Sequence, residues 1–386
     1  MTDLPENPPP VVTPDALPPA PAPDPIETPP PPPPSVIQTV AFEGDGVEYF
    51  KIWIVNVLLS IVTIGIYSPW AKVRRLQYFY RNTRLAGASF DYHGQPIAIL
   101  KGRIIAATML VAYTGAGALN PVLALAIFAG IALVMPWFLV RSLRFRLHNS
   151  SYRGLRFRFE GTTSSAYWVF LGLPILTVMS LFTLFPFWQQ RMKRYQYTNA
   201  SYGRAQFVAD PPVGDFYVTY VAAAAMMFVV FVLAAGFLGA GAALAVAASG
   251  PIGDARELPA EAAALMVPAL AVAGLTYLLG ITATQAFVTA RLRNLVWNET
   301  TVGSCRFAST MRAWPFFRIV ITNLVATVLT LGFFWPFAQV RLLRYLASTL
   351  AVEGPGSFAE FHAGPDSDVQ AVGEEVSEFF DFDIGF

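Results

Sequence analysis

The side chains able to do chemistry are sparse in this 386-residue chain. There are three histidines, His93, His148 and His362, and a single cysteine, Cys305. No His-x-x-x-His or Cys-x-x-Cys spacing groups them, so no metal site is expected. Cys305 has neither a neighbouring base nor a partner thiol, which fits a spectator better than a nucleophile. A Gly-rich phosphate loop, a serine elbow and paired carboxylates are all missing, so neither an enzyme nor a cofactor is expected. What does recur is arginine. Pro69, Pro136, Pro186 and Pro336 are each followed five residues later by Arg74, Arg141, Arg191 and Arg341. Three residues on come Gln77, Arg144, Arg194 and Arg344, and then Tyr78, Phe145, Tyr195 and Tyr345. Residues 291–303 form a fifth copy without its proline. Arginine at i and i+3 beside an aromatic gives an interfacial helix one basic and one lipid-facing side. A guanidinium fork also matches phosphate geometry. Arg74, Arg141, Arg144, Arg191, Arg194, Arg341 and Arg344 are therefore the candidates for anionic lipid head groups. Plain positive-inside anchoring is the competing reading.

The elements that must position these arginines are apolar. Hydrophobic residues make up 55% of the chain and charged ones 13%, against roughly a quarter charged in soluble proteins. Seven apolar stretches are expected: Phe50–Ser68, Ile104–Leu119, Val122–Val140, Tyr167–Phe187, Phe216–Val246, Ala262–Ala290 and Phe316–Phe337. Most approach the 20 or so residues that a membrane helix needs. Asn120-Pro121 makes the second and third a hairpin, and Ser249-Gly250-Pro251 does so for the fifth and sixth. Gly236, Gly239 and Gly241 allow close packing in the fifth. The expected fold class is thus an all-α polytopic membrane protein with basic interfacial helices and short strands, such as Ala88–Gly94 and Leu155–Gly161, between the segments.

Repetition extends to the segments themselves. A shift of 267 residues lays Arg318, Asn323, Thr330, Gly332 and Pro336 on Lys51, Asn56, Thr63, Gly65 and Pro69. A shift of 117 lays Phe159-Glu160-Gly161 on Phe42-Glu43-Gly44. The expected organisation is a disordered Pro-rich acidic tail over 1–40, repeat units over 41–158 and 159–306, a half-unit over 307–358, and an acidic-aromatic tail over 359–386. Asn56 and Asn323 are the intramembrane polar candidates, either as a site or as amides bonded across a helix contact. No Asp or Glu lies inside the seven stretches, which counts against a proton-driven pump.

The stretch from Phe42 to Gly87 carries Phe-x-Gly, Tyr49-Phe-Lys-Ile-Trp53, Asn56, Thr63-x-Gly65-Ile-Tyr-x-Pro69-Trp-Ala71, Arg74 and Asn82-Thr-x-Leu-x-Gly87. It resembles the YjgN-like family of bacterial inner-membrane proteins, a domain of unknown function. The likeness runs to about residue 358. It implies an inner-membrane location and transfers no activity and no catalytic residue. The fourth segment departs from the pattern at its Asn and Gly positions.

Charge leaves two topologies open. Residues 41–358 hold all 26 Lys and Arg against 12 Asp and Glu, and both ends are acidic. Seven crossings place 16 bases on one side and 8 on the other. If instead the first, fourth and seventh segments dip in and return, 25 of the 26 share one side, and the strand-like pieces before and after the first segment can pair into one small sheet. Ile52 to Pro69 as a single helix rises about 27 Å, which favours crossing. The expected function is a non-enzymatic envelope protein that binds or organises anionic lipid, with no nucleic-acid partner. The alternatives are a transporter or channel built on inverted repeats, and a scaffold recruiting protein partners through its tails.

Overall fold

The computed structural model describes residues 35–248 and 260–355. The readings made for the two tails, and for the loop at 249–259, fall largely outside those residues.

Short alternating runs such as Leu155-Arg-Phe-Arg-Phe159 put every second side chain on one face, and they pair into a sheet. Its strands are β1 (Val36–Thr39), β2 (Ala41–Phe42), β3 (Thr83–Leu85), β4 (Ala88–Tyr92), β5 (Ser150–Tyr152), β6 (Leu155–Phe159), β7 (Ala200–Tyr202), β8 (Ala205–Ala209), β9 (Thr300–Val302), β10 (Cys305–Ser309) and β11 (Leu350–Gly354). Neighbours are antiparallel throughout, in the order β1-β11-β10-β9-β8-β7-β6-β5-β4-β3-β2. The two ends of that row are consecutive in the chain, separated by Val40 alone. The Val40 amide donates to the Leu350 carbonyl at 2.9 Å. Residues 36–42 thus pair with β11 through their first half and with β3 through their second. The sheet closes on itself through the N-terminal strand, which supplies the partner that β11 lacks nearby in sequence. Closure leaves no free edge.

This ring corrects the all-α expectation. The expected strands at Ala88–Gly94 and Leu155–Gly161 are present as β4 and β6, but the two- and three-residue strands that complete the ring are too short to announce themselves by period. Two-residue turns join the hairpins. Ala86 and Gly87 lie at φ 49° and 76°, and Arg153 and Gly154 at 48° and 79°, the left-handed pair that a tight hairpin needs.

Helix pairs fill the gaps between hairpins. They are α1 (Gly46–Val62) with α2 (Ser68–Arg81), α3 (Pro96–Leu119) with α4 (Pro121–His148), and α8 (Val213–Ala248) with α9 (Ala260–Asn298). Between the last two pairs lies α5 (Thr163–Tyr167), a π-helical turn (Trp168–Gly172) and α6 (Leu173–Met179), which return through α7 (Phe185–Thr198). The last pair is α10 (Ala313–Leu329) with α11 (Trp335–Ser348). Each pair leaves from the end of one strand and returns to the start of the next. In a fully antiparallel ring those ends share a rim, so all five pairs project from the same rim. The register repeats from unit to unit: Phe90 faces Tyr152, Phe157 faces Tyr202, Phe207 faces Val302 and Phe307 faces Val352. Successive units are therefore related by rotation around the ring and not by inversion.

Among the described residues four helices, α3, α4, α8 and α9, are long and apolar enough to cross a membrane, which corrects the expectation of about seven segments. The other three segments are broken. In the first, Ile64 and Gly65 take φ 51° and 85°, ending α1 before α2 begins. Leu331 and Gly332 do the same at 52° and 93°, and Leu181 and Phe182 at 51° and 64°. The turn satisfies its own backbone. Thr63 donates its hydroxyl to the Leu59 carbonyl (2.7 Å) and accepts the Tyr67 amide (3.0 Å), while the Gly65 amide donates to Ser60 (2.7 Å). Thr330 repeats this with Ala326 (2.7 Å) and Phe334 (2.9 Å). At the third tip, the Ser180 hydroxyl accepts the Leu184 amide at 3.2 Å. The tip residues Ile64, Leu331 and Leu181 are 94%, 90% and 85% exposed. Apolar, exposed and internally bonded, these tips suit hydrocarbon.

The ring interior is filled by aromatic side chains. Phe157 packs on Phe90, Tyr202 and Phe207 at centroid distances of 6.4, 5.0 and 6.5 Å, and Phe207 stacks on Phe307 at 5.9 Å. Tyr152 donates to the Leu85 carbonyl (2.6 Å), and Tyr202 donates to that of Tyr152 (2.9 Å), each reaching back one hairpin. Elsewhere, α8 and α9 approach closely where a Cβ at Gly241 would collide with that of Ala269, whereas Gly236 and Gly239 face open space.

Candidate functional site

The arginines sit on the returning helices near the ring, and they divide by row. The second row serves the fold. Arg144 donates to the Gly161 carbonyl at 3.0 Å and Arg344 to that of Gly44 at 2.9 Å, each clamping the chain where it leaves a strand. Arg194 pairs with Asp210 at 3.1 Å. Asn294, the equivalent residue in the fifth copy, does the same work by donating to the Met311 carbonyl at 2.8 Å. The aromatic next in line closes each short unit. Tyr78 donates to the Asp45 carbonyl, Tyr195 to that of Thr162 and Tyr345 to that of Arg312, at 2.8, 3.0 and 2.9 Å.

The first row looks outward along the helices. Arg74 stands 6.0 Å from the Tyr67 ring centroid, Arg141 4.5 Å from Trp137 and Arg191 4.9 Å from Phe187. A guanidinium on an aromatic face is held at low entropic cost and can still accept a phosphate on its edge. Arg341 instead donates to Thr322 at 2.9 Å and to the Asn323 Oδ1 at 3.4 Å.

The two intramembrane amides differ. Asn323 is buried, and it donates to the Ala338 carbonyl across to α11 at 3.1 Å. Asn56 is also buried, and its Oδ1 has no hydrogen-bond partner among the described residues. Asn56 is one of the residues lining a cavity of about 460 Å³ between α1, α2, α3 and α11. Three cations line it, Lys72 and Arg75 from α2 and Arg103 from α3. Lys72 is only 7% exposed. Arg103 donates to the Ser68 hydroxyl, and Tyr49 donates to Gln339 at 2.9 Å across the cavity's wall. The motif reading passed over these three cations because it followed residues that recur, and these do not.

Among the described residues no three His, Cys, Asp or Glu side chains gather to hold a metal ion. His93 Nε2 lies 2.8 Å from the Ser151 hydroxyl, and Cys305 is buried in the sheet.

A family model described as "Bacterial protein of unknown function (DUF898)" matches residues 37–379, which is most of the chain. The chain belongs to this family. It is similar to the inner membrane protein YjgN of Salmonella typhimurium strain LT2, with 30% identity over 148 residues, 37% of each chain. It is also similar to the YjgN proteins of Escherichia coli K12 and O157:H7, at 31% and 29% identity over 150 residues. These alignments span a little over a third of the relatives' length. No solved structure matches. The family member described here is, like those relatives, an inner-membrane protein, with four apolar helices able to span the bilayer.

Proposed function

We propose that this YjgN-like protein is a non-enzymatic organiser of anionic lipid in one leaflet. In this reading α3, α4, α8 and α9 cross the bilayer, and the three short helix pairs re-enter from the side of the ring. Helices α1 and α10, of 17 residues each, rise about 26 Å from the rim and bring their self-bonded tips into hydrocarbon. The positive-inside rule then puts the ring in the cytoplasm. The observation that carries the reading is the shared rim: all five helix pairs project from it with bare apolar surface, and four of them carry a first-row arginine on the returning helix. Anionic head groups fit the bases and acyl chains fit the flanks. The aromatic filling of the ring argues against a pathway through it, and rotation-related units give no inverted halves for alternating access.

The test is lipid analysis of the full-length protein extracted in polymer-bounded native discs. The expected result is enrichment of anionic phospholipid over the bulk membrane, lost when Arg74, Arg141, Arg191 and Arg341 are all changed to Gln. Deleting residues 1–34 and 359–386 leaves the enrichment in place. Enrichment that survives the fourfold change, or that vanishes with the tails, refutes the reading, and the latter result favours the scaffold.

A further inference from the structure

The last helix pair carries a groove of about 590 Å³ where α10 and α11 approach the ring. Pro315, Arg318, Ile319 and Thr322 line it from α10, and Arg341 and Tyr345 from α11. Arg341 differs from the other first-row arginines in how it is held. Phe337, the aromatic one turn before it, packs on Phe50 and Phe334, both at 5.7 Å. The guanidinium turns instead to α10, where its Nη1 donates to the Thr322 hydroxyl at 2.9 Å and to the Asn323 Oδ1 at 3.4 Å. Both acceptors are neutral, and neither Arg318 nor Arg341 has a carboxylate partner among the described residues. The five units align on the strand that feeds each outgoing helix, ending at Phe42, Tyr92, Phe159, Ala209 and Ser309. Where Arg318 stands, the other units carry Lys51, Lys101, Trp168 and Val218, so the fold does not require a cation there. Where Thr322 stands they carry Val55, Ile105, Gly172 and Ala222, so the hydroxyl that aims Arg341 is peculiar to the last unit. Pro315 stands where the others carry Glu48, Ala98, Ser165 and Asp215. In the first unit the cations Lys51 and Arg74 thus have Glu48 one turn from Lys51 on α1. The last unit brings together two guanidinium groups and a hydroxyl, with a proline in the place of that carboxylate.

We propose that this groove binds the phosphate of an anionic membrane lipid, with Arg318 and Arg341 as its ligands and Thr322 as the residue that positions Arg341. Two guanidinium forks match the oxygens of one phosphate. Helix geometry decides between a lipid-borne phosphate and a free one. Arg318, Thr322, Val325 and Leu329 are spaced i, i+4, i+7 and i+11, a single stripe of α10 that runs from the groove to the tip. Val325 and Leu329 are 51% and 78% exposed. From Arg318 to Leu329 the helix rises about 16 Å, close to the ~15 Å half-thickness of a hydrocarbon core. A phosphate held at Arg318 therefore gives its acyl chain one leaflet's depth of exposed apolar helix to follow. The proposal rests on the lipid reading above and narrows it from a shell of head groups to one built site.

The test uses the detergent-solubilised full chain and short-chain phosphatidylglycerol, with inorganic phosphate and short-chain phosphatidylcholine as separate arms. Substitutions are taken from the protein's own other units, Arg318→Val and Thr322→Val, because valine already stands at the equivalent Val218 and Val55. Phosphatidylglycerol should bind the natural chain at least tenfold tighter than the double variant. It should also bind at least tenfold tighter than phosphatidylcholine, whose choline cation two arginines repel. Arg318→Lys, which keeps the charge, should retain most of the binding. Lys51→Gln, at the equivalent position of the first unit, should change it less than twofold. Inorganic phosphate binding as tightly as phosphatidylglycerol overturns the lipid assignment. Equal binding by the natural chain and the double variant overturns the site, and so does a loss from Lys51→Gln as large as that of the double variant. Arg318 and Thr322 lie outside the fourfold Gln change, so the two proposals can fail separately. Enrichment lost in the fourfold variant, with phosphatidylglycerol affinity unchanged in the double variant, overturns the site alone. Enrichment that survives the fourfold change overturns the broader reading.

Discussion

Thr330 holds the tip of its helix pair with one oxygen atom. Its hydroxyl donates to Ala326 at 2.7 Å and accepts the Phe334 amide at 2.9 Å, so Thr330→Val removes both bonds with little change of shape. In water each bond is worth about 1 kcal/mol, and the freed amide would find a water molecule. In hydrocarbon that amide has no substitute partner, and an unmet donor adds a further ~1–3 kcal/mol. The variant should therefore lose about 3–5 kcal/mol if the tip lies in lipid, and close to 2 kcal/mol if it lies in water. The assay is equilibrium unfolding in lipid bicelles titrated with sodium dodecyl sulfate, followed by tryptophan fluorescence. Thr330→Ser, which keeps the hydroxyl, should behave nearly as the natural protein. A loss of about 2 kcal/mol or less for the valine variant would refute the placement of the tip in hydrocarbon.

Other variants test other parts of the account. Phe182 occupies at φ 64° the place that glycine holds in the two equivalent turns, so Phe182→Gly should raise stability by up to ~1 kcal/mol in the same titration. Phe157 fills the ring interior, and Phe157→Ala should cost about 3–5 kcal/mol without altering membrane insertion, read as lost cooperativity and a lower unfolding midpoint. Asp45 caps α1 by accepting the amides of Val47 and Glu48 at 2.8 and 3.1 Å, and those bonds hold its carboxyl below the usual value of 3.8. A depressed carboxyl stabilises the fold at neutral pH, and the contribution fades as pH falls through its folded-state value. Asp45→Ala should therefore lower the melting temperature at pH 7 and make no difference well below pH 3.8.

The recurrences of Thr63, Gly65 and Pro69 were plain in the sequence, but their meaning was not. Counting Ile52 to Pro69 as one helix made a span of it. The turn that breaks it needs Ile64 in the left-handed region, where an isoleucine is not expected, so no local rule marked the bend. Ala88–Gly94 and Leu155–Gly161 were legible as strands, but their partners escaped, since runs such as Thr83–Leu85 are too short to carry a period. Ring closure pairs Thr39 with Ala351, and nothing near Thr39 in sequence foretells so distant a partner. The arginine rows were legible as a motif, yet nothing in their spacing separates Arg344, spent on the Gly44 carbonyl, from Arg74, poised over Tyr67.

The shared rim is the centre of the account, and thiol accessibility tests it most directly. In a Cys305→Ala background, single cysteines replace the exposed residues Ser89, Gln206 and Ser348 near the ring, and Asn120 at the far end of the α3–α4 pair. An impermeant thiol reagent is applied to intact and to lysed cells. The account predicts that the three ring positions react only after lysis and that Asn120 reacts in intact cells. Opposite behaviour at Ser89 and Gln206, or at Gln206 and Ser348, would contradict it, because those units would then lie on different sides of the membrane and could not share one ring.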